Sequence, residues 1–174
     1  MPVLLKIIII SIVLLAGAYD ARYRKIPNWL CLSGIILGLA INTLLSGWAG
    51  LGAAALGFGL AMLVYAPLYL IRGMGAGDVK LMAALGAIAG PHDWFGIFIC
   101  TALVGGLVSL TAIAIKKRTG QTLMNLTTIL SELLQFRLPA KTDVRLDVRN
   151  PSALRMPHAI NIAAGCMAFL YLSQ

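Results

Sequence analysis

The sequence predicts an all-α, polytopic membrane protein of about six transmembrane helices, with a further amphipathic helix on the cytoplasmic membrane surface. Two observations carry this expectation. The first is apolar content: 60% of the 174 residues are hydrophobic and 11% charged, with a mean hydropathy of +0.90. A water-soluble domain of this size cannot hide that much apolar surface in one core, so lipid is the expected solvent. The second is the placement of Lys and Arg, which alternates along the connections between apolar runs. The whole chain, residues 1–174, reads as a single integral membrane domain.

A helix needs roughly 20 mostly apolar residues to cross a bilayer. Runs at 3–19, 29–46, 51–71 and 95–115 meet that requirement. Two more, at 79–91 and 157–173, are shorter and near the length at which a buried or re-entrant segment is as natural as a span. Arg22, Arg24 and Lys25 follow the first run, Arg72 and Lys80 flank the third connection, and Lys116 to Arg155 form a long basic segment. The connections 46–50 and 91–94 contain no Lys or Arg. Because cytoplasmic loops collect Lys and Arg, six helices put all three basic connections inside and both termini outside the cytoplasm. Lys6 and the small residues Ala16 to Ala18 resemble a cleavable signal peptide. However, the greater positive charge after the first run favours a retained helix with its C-terminal end inside.

Within the basic segment 116–156, Leu123, Leu126, Leu130, Leu133 and Leu134 recur at helical spacing with Thr122, Thr127, Ser131 and Glu132 between them, which predicts the surface helix. A seventh span there would leave basic clusters on both sides of the membrane. The formal net charge of +8 is spread over loops that the cytoplasmic bias already explains. It points to anionic lipid rather than nucleic acid, and no aromatic-interleaved basic patch suited to stacking bases is present. Cys31, Cys100 and Cys166 are far apart in apolar runs and far from His92 and His158, so they read as small buried hydrophobes; no metal and no cofactor is expected.

Two of the six acidic residues, Asp20 and Asp78, fall at helix ends that this topology brings to one cytoplasmic face. Asp20 closes the first run ahead of Pro27 and Asn28, which mark a turn and the next helix start. Asp78 follows Gly73, Gly75 and Gly77, whose backbone freedom and small size allow another chain to come close. Singly, each has a plain explanation: Asp78 as a helix N-cap, and Asp20 paired with Arg22 or Arg24. Together they are less ordinary, since carboxylates near the hydrocarbon boundary are costly and are functional candidates. A facing carboxylate pair suits peptide hydrolysis. Like charges close together share one proton, so the ionised member can deprotonate water while the protonated one polarises the scissile carbonyl.

Asp20 with Ile26, Pro27 and Asn28, followed by Gly75-Ala-Gly-Asp78-Val-Lys80 and Leu81 to Gly86, resembles the type IV prepilin peptidase family, membrane aspartyl proteases of the GxGD kind. Arg155 to Ile160 is similar in style. The resemblance implies an aspartic-type endopeptidase that removes prepilin or pseudopilin leaders at the cytoplasmic face of the bacterial inner membrane. By the same resemblance Asp20 and Asp78 are the catalytic pair and Gly75 and Gly77 shape the site. Lys80 has an orienting role or is simply a cationic anchor at the interface, and Pro27 and Asn28 set the turn. The short chain is similar to the peptidase-only branch of Flp, tight-adherence pilus systems. No cysteine-rich region precedes Asp20, so methyl transfer is not expected. The competing readings are a small proton-linked transporter subunit, which predicts carboxylates near the bilayer midplane, and a non-catalytic assembly scaffold, which predicts tolerance of Asp to Asn changes.

Overall fold

The structure, a computed structural model, describes residues 1–70, 74–115 and 158–173, the side chains of 112–114 excepted. The surface helix expected within 116–156 therefore lies outside the described residues. Those residues form four helices, α1 (Val3–Tyr23), α2 (Asn28–Leu70), α3 (Ala76–Ile115) and α4 (His158–Leu172), and contain no β-strand. The first three contain windows long and apolar enough to cross a membrane.

Straight helices of 43 and 40 residues would be about 60 Å long, twice the thickness of a bilayer's hydrocarbon layer. Neither α2 nor α3 is straight. Gly47 has φ 60° and ψ −142°, and Gly90 has φ 74° and ψ 173°, backbone conformations accessible to glycine but strained for residues with a Cβ. Each long helix is thus two helical segments joined at a glycine, Gly47 within and Gly90 directly before the connections that the sequence leaves free of Lys and Arg.

Beyond each break the chain folds back. Gly38 and Gly57, one in each half of α2, both lie against residues 86–90 of α3. A side chain at Gly57 would collide with the Gly86 carbonyl, and one at Gly38 with the Ala87 backbone. Small residues let helices approach closely in lipid. That closeness brings Asn42 Nδ2 to the carbonyls of Ala87 and Ile88, at 3.2 and 3.1 Å. The Ala87 carbonyl needs such a donor, because its helical partner would be Pro91, which has no N–H.

The first half of α3 is the centre of the molecule. Leu81 to Ile88 are buried without exception, as expected of a helix that is apolar on every side. The short run at 79–91 is accordingly a core helix wrapped by the others. Trp94, fully buried, donates from Nε1 to the Met82 carbonyl at 3.1 Å and stacks on Phe98, with Tyr65 edge-on to both. Large apolar side chains such as Leu14, Ile36, Leu63 and Leu107 are exposed on the outer faces of α1 to α3, the surfaces that lipid would cover.

The two ends of the bundle differ. One gathers the breaks at Gly47 and Gly90, with the Met1 amino group 3.7 Å from Asp93. The opposite end gathers the end of α1 and the starts of α2, α3 and α4.

Candidate active site

Helix α1 continues three residues past Asp20, to Tyr23, so Asp20 sits in its last turn rather than at its end. The helix stops where Arg24 takes a left-handed conformation (φ 52°, ψ 35°) and its N–H bonds the Asp20 carbonyl at 2.8 Å, a common helix ending. The chain then turns through Ile26 and Pro27, and α2 starts at Asn28.

The Asp20 side chain does not pair with Arg22 or Arg24. Its Oδ2 accepts a hydrogen bond from the Ala159 N–H at 3.1 Å. Asp20 therefore satisfies one of the free amides in the first turn of α4, from a different helix, and places its charge at the positive end of that helix dipole. Arg22 instead donates from Nε to the Tyr23 hydroxyl at 3.2 Å.

Helix α3 begins at Ala76, three residues before the apolar run, so Asp78 is the third residue of its first turn and not its N-cap. Gly75 holds the N-cap position: its carbonyl accepts from the Val79 N–H at 3.4 Å, and its own backbone amide bonds the Asp78 carboxylate. This is the acidic half of a capping box. A Cβ on Gly75 would lie 3.1 Å from Asp78 Oδ2, and one on Gly77 would lie 3.2 Å from Ile26 Cβ. Gly75 thus leaves room for the carboxylate, and Gly77 leaves room for the turn after α1.

Lys80 connects the same two elements. Exposed on α3, it donates from Nζ to Asn28 Oδ1 at 2.9 Å, tying the start of α2 to the first turns of α3. Pro27 ends the turn, and its carbonyl accepts from the Cys31 N–H at 3.4 Å.

Asp78 is 8% exposed, and Asp20 is half-buried. Among the described residues, the ionisable groups close enough to act electrostatically on Asp78 are His158 and Asp20. The structure therefore brings Asp20, Asp78, Gly75, Gly77, Lys80, Pro27 and Asn28 to one end of the bundle, with the two carboxylates as electrostatic neighbours. It adds His158, the first residue of α4, which sequence reasoning passed over as a site residue. The signal available for it was the polar residue opening the last apolar run directly after Pro157. A cavity of about 230 Å³ adjoins the site, with His158 in its wall.

These features define a class: a helical membrane protein whose only buried carboxylate among the described residues, Asp78, lies within electrostatic reach of a second carboxylate where helix ends converge. The chain belongs to the type IV leader peptidase family, whose model matches residues 7–110. Over 110 residues it is 29% identical to the prepilin leader peptidase/N-methyltransferase of Bacillus subtilis (strain 168), an alignment covering 62% of this chain and 44% of that protein. The chain thus spans less than half the length of that relative. No solved structure matches it.

Proposed function

We propose that the protein is a membrane aspartyl endopeptidase that removes the leader peptide of prepilins, with Asp20 and Asp78 as its catalytic pair. The observation that carries this reading is that Asp20 and Asp78, from α1 and α3, lie at one end of the bundle within electrostatic reach of each other and within the stretch matched by the leader peptidase family. In this reading the ionised carboxylate takes a proton from water, and the hydroxide attacks the scissile carbonyl. The protonated carboxyl hydrogen-bonds the developing oxyanion. A proton then passes to the leaving nitrogen, the C–N bond breaks, and a leader acid and a free amine result.

The neighbouring residues have positioning roles. Gly75 holds the Asp78 carboxylate, Gly77 admits Ile26, and the Lys80–Asn28 bond fixes the turn that follows Asp20 relative to α3. The six helical segments cross the bacterial inner membrane, with the carboxylate end at the cytoplasmic face, where Arg22, Arg24, Lys25 and Lys80 satisfy the charge bias. Carboxylates at the end of the bundle rather than its middle favour this reading over an ion relay. The substrate class, by the same reading, is the Flp-type prepilin, and the proposal is confined to the hydrolytic step.

Co-expression with a tagged Flp-type prepilin tests this. Leader loss, scored by gel shift, is expected with the wild type and not with Asp20→Asn or Asp78→Asn, while both variants still insert into the membrane. Substantial cleavage by either variant would remove that residue from the pair.

A further inference from the structure

The helical segments of the bundle differ in length. Helix α4, His158–Leu172, has 15 residues and is about 22 Å long, whereas the hydrocarbon layer of a typical bilayer is about 30 Å thick. The second half of α2, from the break at Gly47 to Leu70, and the second half of α3, from the break at Gly90 to Ile115, are each about 35 Å long. In the sequence Arg155 and Pro157 stand just ahead of α4, so no further apolar turn is available on the side of Asp20. The first half of α3, Ala76 to Gly90, is equally short, but it is enclosed by the other helices.

Helix α4 lies against α1 on one side and the second half of α3 on the other. A Cβ at Gly17 of α1 would lie 3.9 Å from Ala163, one at Gly165 would collide with Thr101, and one at Gly96 with the Phe169 ring. Because Gly165 meets Thr101 and Phe169 meets Gly96, α4 runs antiparallel to this part of α3, and His158 comes level with about residue 108. From that level α3 continues for about 10 Å to Ile115, and its last turns expose Leu110 and Ile115. The outer side of α4 is uncovered: Ile160, Met167, Tyr171 and Leu172 are all exposed. The short helix is therefore one that lipid touches, beside a longer helix that rises past it.

We propose that the protein thins the bilayer along α4, and that the lipids fitting this surface are those that form a thin hydrocarbon layer. A membrane helix shorter than the layer draws it thinner at modest cost. Leaving Asp20, Asp78 and His158 beneath a full layer costs more, since charged groups at membrane depth are expensive. Along α4 the hydrocarbon then ends at the level of Asp20 and the Ala159 amide it binds, about 10 Å below the end of α3. Headgroups and water reach the carboxylates from this flank, without a channel through the bundle. The inference concerns the membrane around the protein and holds whether or not the carboxylates cut prepilins.

The test reads lipid preference one helix at a time. Met167→Trp on α4 or Leu63→Trp on the second half of α2, both at exposed positions, is introduced into the full-length protein carrying Trp29→Phe and Trp48→Phe. Each protein is reconstituted with phosphatidylcholines of about 14 to about 22 carbons per chain, a range over which hydrophobic mismatch changes sign, in competition with a brominated lipid that quenches tryptophan. At the α4 probe the shortest chains should compete at least about twofold better than the longest, whereas the α2 probe should favour longer chains. Four leucines inserted after Leu172 lengthen α4 by about 6 Å and should move the α4 optimum to longer chains while leaving the α2 optimum in place. The same optimum at both probes overturns the proposal, as does an α4 optimum unmoved by the insertion. An α4 probe that no lipid quenches overturns it too, and assigns this flank to a protein neighbour. If the lengthened protein does not fold, the comparison of the two probes decides alone.

Discussion

Asn42 supports the Gly90 break from a neighbouring helix, and replacing it measures what that support contributes. Its carboxamide nitrogen lies 2.9 Å from the Gly38 carbonyl in its own helix, and 3.2 and 3.1 Å from the carbonyls of Ala87 and Ile88 across the interface. Asn42→Leu keeps the approximate volume and removes both interhelical bonds. Such bonds between membrane helices average about 0.6 kcal/mol each. The Ala87 carbonyl, denied a helical partner by Pro91, would in addition be left unpaired, at about 1 to 3 kcal/mol. The expected loss is about 2 to 4 kcal/mol. At about 2 to 4 °C per kcal/mol for a chain of this size, the melting temperature should fall by at least about 4 °C. Unfolding in detergent can be followed by tryptophan fluorescence, since buried Trp94 lies just beyond the break. Thr43→Val is the control, because among the described residues the Thr43 hydroxyl bonds only the Leu39 carbonyl of its own helix at 2.7 Å, and its loss should shift the midpoint little. An Asn42→Leu protein that melts with the wild type, or a Thr43→Val protein that falls as far, would refute the argument.

Other outcomes follow from the site. Asp20→Asn keeps an oxygen for the Ala159 amide, so it should abolish cleavage, by about 100-fold or more, with little change in melting. Asp20→Ala should lose activity and also about 1 kcal/mol of stability, because the α4 amide loses its acceptor; paired cleavage and melting assays separate the two effects. Gly77→Val places side-chain atoms against Ile26 and should cost about 1 to 3 kcal/mol together with much of the activity; wild-type cleavage and melting would contradict the packing described. Lys80→Met removes an exposed hydrogen bond to Asn28 and should change melting by less than about 1 kcal/mol while lowering cleavage several-fold; undiminished cleavage would return Lys80 to the role of an interface anchor. Gly47→Ala meets no neighbouring atom, so its cost should be backbone strain alone, about 1 to 3 kcal/mol, again read by melting.

Much of this fold is legible in the sequence because lipid imposes simple rules. Run length and charge placement locate the breaks near Gly47 and Gly90 and put Asp20 and Asp78 at one end. The short run at 79–91 is ambiguous by the same rules: a helix apolar on all faces has no periodicity, so only packing reveals that Leu81 to Ile88 are enclosed by the others. The helix limits shift because apolar runs end where polarity begins, whereas hydrogen bonding continues. Tyr23 and Ala76 are both helical although they fall outside the runs. The Asp20–Ala159 and Asn42–Ala87 bonds join residues far apart in the chain and leave no local pattern to read. The cavity walled by Tyr65, Gly105 and His158 is hidden for the same reason, being a property of three helices at once.

The Asp20 hydrogen bond to α4 also bears on how this site would decay. If Asp20 serves cleavage as proposed, a chain released from that selection still has to cap the start of α4, so an oxygen at position 20 remains useful after the charge does not. Drift there should favour Asn or Ser over Ala, and an inactive descendant would keep nearly the same architecture around its lost carboxylate. A silent descendant would then be identified by the chemistry of the atom at that position, while the overall shape of the helix bundle would look unchanged.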